Sequence, residues 1–252
     1  MLTIRPAQWK ALAEAGLVRF EDEMVQHLSV FAPELARVMG EPRMRELVRL
    51  GIARGKAYGF TDRGPLRSYL EMMLALGADF DTDPALARAT AALRGEPSEQ
   101  HRRAAALYEG VLEYCEEVNG LQNEHALMAM ERVRDVPYEA LPGNGNAGDR
   151  ALMLFRGGFP QKYEYAGEAA LRNLLTGAAR VSDEYGVHSM AGRLLIASLM
   201  YAFGHGVFSD PAYRWAPDTL RDAALADAEE RARHLHRKTR LYVSAALKNL
   251  GT

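Results

Sequence analysis

Residues 58–85 read YGFTDRGPLRSYLEMMLALGADFDTDPA, and residues 185–212 read YGVHSMAGRLLIASLMYAFGHGVFSDPA. The two stretches align without a gap at an offset of 127 and share eight of 28 positions. The shared residues are punctuation. Tyr58-Gly59 and Tyr185-Gly186 suit the end of a helix, because glycine takes the left-handed backbone that closes one. Gly77 and Gly204 end the next helix in the same way. Asp83-Pro84 and Asp210-Pro211 suit a restart, with the carboxylate as N-cap and proline in the first turn. The unit is therefore helix, turn, helix, loop, helix, written twice.

Outward from the repeat, the apolar spacing stays helical. Trp9, Leu12, Ala13, Leu17, Phe20, Met24, Leu28 and Phe31 fall at three- and four-residue steps and predict a helix of about 25 residues. Further helices are expected over about 41–57, from Gly64-Pro65 to Gly77, and briefly from Asp83-Pro84 to Gly95. Glu96-Pro97-Ser98 marks a boundary, with Ser98 as the N-cap of a long helix to about Arg134 that Asn119-Gly120 breaks or bends. Residues 135–149 are the clear loop, and helices follow at about 164–184, 190–203 and 218–249. Only Ala151 to Phe155 offers a strand, and it reads equally as helix. The expected fold is all-α: two related helical halves, 1–95 and 96–252, braced by long helices and packed as one compact unit.

Composition excludes several classes. The 252 residues carry 31 Lys+Arg against 33 Asp+Glu, a net charge of −2, with 48% apolar residues. A chain this long buries roughly three quarters of its unfolded surface and needs no disulfide or metal to fold. The charge balance argues against a dedicated nucleic-acid binder. The single cysteine, Cys115, has acidic neighbours that raise a thiol pKa, which suits a structural role. The N-terminus has no signal-peptide apolar core, and no apolar run reaches the ~18 residues of a membrane span, so a cytoplasmic protein is expected, with signal-independent export left open.

Chemical motifs are weak. GNGNAG at 143–148 matches G-x-G-x-x-G but lacks a preceding strand. Asp79, Asp81 and Asp83 form D-x-D-x-D, yet Pro84 and Thr90 stand where a calcium loop needs glycine and glutamate. The seven histidines make no helical metal signature. His205, between two glycines and near Asp210, is the best acid–base candidate. Phe208, Tyr213 and Trp215 cluster around Asp210-Pro211 and read as a partner anchor or the sealed edge of a core. Met128 and Met130 read as core. No catalytic residue, metal or cofactor is assigned.

The run MRELVRLGIARGKAYGFTDRGPLRSYLEMMLALGADFDTDP at 43–84 resembles a group of uncharacterised bacterial helical proteins associated with type VI secretion gene clusters. YAFGHGVFSDPAYRW at 201–215 carries the same signature, although the first copy lacks its aromatic residues. The resemblance implies a non-enzymatic accessory protein that binds an effector or spike component as adaptor, chaperone or immunity protein. The expected partner surface is His205, Phe208, Asp210, Tyr213, Arg214 and Trp215. The alternative is an enzyme or toxin domain with a site at the repeat interface around His205 and Asp210.

Overall fold

The structure, a computed structural model, describes residues 5–94, 99–141, 145–225 and 227–250. Among the described residues the fold is all-α, with no strand. Helices α1 (Pro6–Phe31), α2 (Pro33–Ala57) and α3 (Arg63–Leu76) lead into 3₁₀ turns at Pro84–Leu86 and Ala91–Leu93. Helix α4 (Gln100–Tyr114) continues as a π turn (Cys115–Asn119), and α5 (Glu124–Asp135) follows. Then come α6 (Ala147–Gly158), α7 (Pro160–Ala166), α8 (Glu168–Glu184) and α9 (Met190–Phe203). A 3₁₀ turn (Pro211–Tyr213), α10 (Trp215–Leu220) and α11 (Ala228–Leu250) complete the chain.

Backbone demands of single residues explain where the expected long helices divide. Gly120 (φ 84°) and Asn123 (φ 57°) stop the 98–134 helix, so α4 and α5 are separate. Gly167 (φ 75°) divides the 164–184 segment into α7 and α8. The 218–249 helix is instead α10 and α11, and the short helix after Asp83 is instead the pair of 3₁₀ turns. Ala151 to Phe155 lies inside α6. Ser98, Gly143, Asn144 and the boundary at 95–96 lie outside the described residues. Of GNGNAG, Asn146 is the N-cap of α6, its side chain accepting from Gly148 N (2.8 Å) and Asp149 N (3.3 Å).

Residues 127 apart share local geometry well beyond 58–85. Gly40 and Gly167 have φ 73° and 75°; Gly77 and Gly204 have φ 100° and 101°. α3 and α9 both span 14 residues in register. After α2, Phe60 N donates to Gly55 O; after α8, Val187 N donates to Ser182 O. That bond, with Gly59 and Gly186 at positive φ, is the Schellman closure the Tyr-Gly pairs predict.

Two hydrophobic clusters form the core. The first joins α1 to α4 and includes Leu28, Leu47, Tyr69, Met73, Leu107 and Val118. The second joins α6, α8, α9 and α11 around Phe155, Leu171, Ile196 and Leu235. α4 packs in the first cluster, as does Tyr165 of α7. The clusters exchange one turn each. Ala85 of the first 3₁₀ turn is buried in the second cluster, and Ala212 of the Pro211–Tyr213 turn is buried in the first. The Pro84–Leu86 turn packs on α8, and the Pro211–Tyr213 turn packs on α2. No helix among the described residues is long and apolar enough to cross a membrane.

Candidate functional site

The loops after α3 and α9 meet face to face, and their contacts are reciprocal. Asp83 caps its own turn through Oδ1, which accepts from Ala85 N at 2.8 Å; its Oδ2 crosses to accept from His205 N at 3.0 Å. Asp210 does the same in the other direction, accepting from Ala212 N at 2.8 Å and from Ala78 N at 2.8 Å. Each carboxylate thus starts one turn and ties down the opposite loop. The glycines allow the approach. A Cβ on Gly77 would stand 3.1 Å from Phe203 O, and one on Gly204 would stand 3.2 Å from Leu76 O. Burial pushes the Asp210 carboxyl above the usual carboxylate range, against the pull of its two backbone donors.

His205 is held in this clasp. Its Nε2 lies 3.1 Å from Asp79 O and 3.0 Å from Thr82 Oγ1. A carbonyl only accepts, so Nε2 carries the proton. No hydrogen bond or ion pair joins His205 to Asp210, and the space between the loops is too small for a water molecule. The D-x-D-x-D carboxylates are likewise spent within the fold. Arg54 of α2 binds both Asp79 and Asp81, Ser209 Oγ donates to Asp79 at 3.1 Å, and the buried Tyr69 hydroxyl donates to Asp81 at 2.7 Å. Among the described residues, no group of three His, Cys, Asp or Glu is placed to hold a metal ion.

The six residues expected to form a partner surface come together only in part. Phe208 and Asp210 are buried, Phe208 against Tyr185. Tyr213 and Trp215 are half-buried, and both pack on Tyr242 of α11, with ring centroids 5.9 and 5.4 Å apart. His205 is half-buried in the clasp. Arg214 alone is well exposed, and it pairs with Glu46 of α2 at 3.0 Å. Phe208, Tyr213 and Trp215 pack at the edge of the second cluster.

The accessible apolar surface lies elsewhere. Every residue from 5 to 19 is exposed, so the first half of α1 stands clear of the body. It presents Trp9 (66% exposed), Leu12 (58%) and Leu17 (36%) on one stripe. Only from Phe20 onward, through Met24, Val25 and Leu28, is that stripe covered by the core. Sequence reasoning found the stripe as a continuous amphipathic face but not where its cover stops. It also passed over Lys162, which is buried beside a cavity under α9. Comparison with protein families, curated proteins and solved structures finds no match to this chain.

Proposed function

We propose that the chain is a non-enzymatic accessory protein of a type VI secretion locus that binds an effector or spike component in the cytoplasm. The observation that carries the binding is the exposed half of α1. Its stripe of Trp9, Leu12 and Leu17 runs along about 12 Å of helix and is exposed among the described residues. Burying such side chains gains about 1.5–3 kcal/mol each, so an isolated helix face of this kind has a strong reason to enter a groove. Tryptophan is enriched among the residues that anchor such docking. The resemblance of residues 43–84 and 201–215 supports the choice of a secretion component as partner. The same proposal reads the chain as two copies of one helical unit, which the shared geometry at an offset of 127 supports. In that reading the clasp supplies a rigid base from which α1 projects.

The test uses tagged wild-type protein and a Trp9→Asp/Leu12→Asp variant recovered from the source bacterium, with mass spectrometry of what co-elutes. The wild type is expected to bring down a secretion effector or spike protein. The variant is expected to lose it at unchanged circular dichroism. Recovery of that partner by both proteins would take the contact off α1. A wild type that elutes with no secretion component would refute the reading.

A further inference from the structure

Helices α5, α6, α9 and α11 surround a cavity of about 310 Å³. Its wall is mostly apolar, with Met130, Phe155 and Val243 among the lining residues. Polar side chains also line it, among them Lys162, Tyr114, Asn119 and Ser198.

Lys162 is the unusual one. It is 5% exposed, and its Nζ donates to Tyr201 O at 2.6 Å and sits 5.3 Å from the centroid of the Tyr201 ring. An ammonium group has three hydrogens to donate, so one bond leaves two. No carboxylate pairs with it among the described residues. Asp83 acts on it from a distance, but both Asp83 oxygens are taken by Ala85 N and His205 N. Taking a charge out of water without a partner costs several kcal/mol. Burial accordingly pulls the Lys162 pKa down. Tyr114 is 4% exposed and lines the same cavity. The π turn Cys115–Asn119 follows it directly and brings Asn119 to the wall. Such turns replace regular helix at a cost and recur at functional sites.

These donors and this wall suit an acceptor with negative charge attached to something apolar. We propose that this cavity binds a medium-chain monocarboxylic acid, with the carboxylate accepting from Lys162 Nζ and the Tyr114 hydroxyl and the tail filling the apolar remainder. A phosphate monoester would bring more charge, and a sulfate ester more acceptors, than one ammonium group can satisfy. At the ~0.74 packing density of protein interiors the cavity takes roughly 230 Å³ of ligand, about a dozen non-hydrogen atoms. Decanoic acid is a probe of that size. The inference stands independently of the α1 partner.

Titration calorimetry of the full chain with decanoic acid and with decanol tests it. Decanoic acid is expected to bind at one site, about tenfold to a hundredfold tighter than decanol, the difference one charged hydrogen-bonded contact makes. Lys162→Met is expected to weaken decanoic acid by a similar factor and leave decanol unchanged. It removes a buried unpaired charge, so it should melt no lower than wild type. Ala246→Trp, which places a large side chain at the cavity wall, is expected to abolish binding of both probes with melting retained. Equal affinity for the two probes, undiminished decanoic acid binding by either variant, or no saturable binding by the wild type would each overturn the proposal.

Discussion

Asp83 and Asp210 each hold two backbone N–H groups, one in their own turn and one across the clasp. Losing an N-cap costs about 1 kcal/mol, and leaving a buried N–H unsatisfied costs about 1–3 kcal/mol more. Asp83→Ala and Asp210→Ala should therefore each lower stability by about 2–4 kcal/mol, measured by urea unfolding. Because both bonds close the same interface, the double variant should cost less than the two together; strict additivity would mean the loops are not coupled. His236 gives a pH signature. It is buried, Nε2 donates to Val136 O at 2.9 Å, and burial holds its pKa below the ordinary 6.5. The unfolded chain binds the proton more readily, so this contribution is complete above about pH 6.5 and is lost as the pH falls below it. His236→Asn should flatten that part of the stability profile without removing the donor. A slope that persists in the variant would assign it to other groups.

At the scale of elements, the exposed half of α1 separates stability from binding. None of residues 5–19 is buried, so removing residues 1–16 should leave the urea midpoint within experimental scatter while abolishing partner capture. A large drop in midpoint would show that this half packs on the body. Helix ends were the legible part of the fold. Gly77, Gly204, Asp83-Pro84 and Asp210-Pro211 impose local backbone requirements, and α9 ends where its glycine stands. The division of 98–134 was foreshadowed by Asn119-Gly120, but the π turn was not, since nothing in CEEVN distinguishes it from an α-helix. What covers an element was less legible. The stripe from Trp9 to Phe31 reports that the helix is amphipathic and not that its cover begins at Phe20. Tyr213 and Trp215 find their neighbour, Tyr242, nearly thirty residues later. Lys162 sits in PQKYEYAG, which reads as a polar helix start, and only tertiary packing buries it. Met130 lines the cavity while Met128 is 42% exposed, a split that spacing alone did not show. Cys115 behaves as expected in direction, its thiol pushed up, but burial is the larger cause and Glu116 the smaller.

For the molecule as a whole, the exchange of turns ties the two hydrophobic clusters together. Ala85 cannot leave the second cluster, nor Ala212 the first, without opening the clasp. Urea unfolding followed by far-ultraviolet dichroism and by Trp215 fluorescence in a Trp9→Phe variant should therefore coincide in one transition. Two separated transitions would show that the clusters fold independently. A body that unfolds as one piece and carries a bare apolar helix at one end is suited to presenting that helix to a partner. The most direct measurement of this claim places a photoreactive phenylalanine at position 12 of α1 in the source organism and identifies the crosslinked product by mass spectrometry. A single heterologous adduct with a secretion effector or spike protein is expected. Crosslinks only to a second copy of this chain, or none at all, would contradict it.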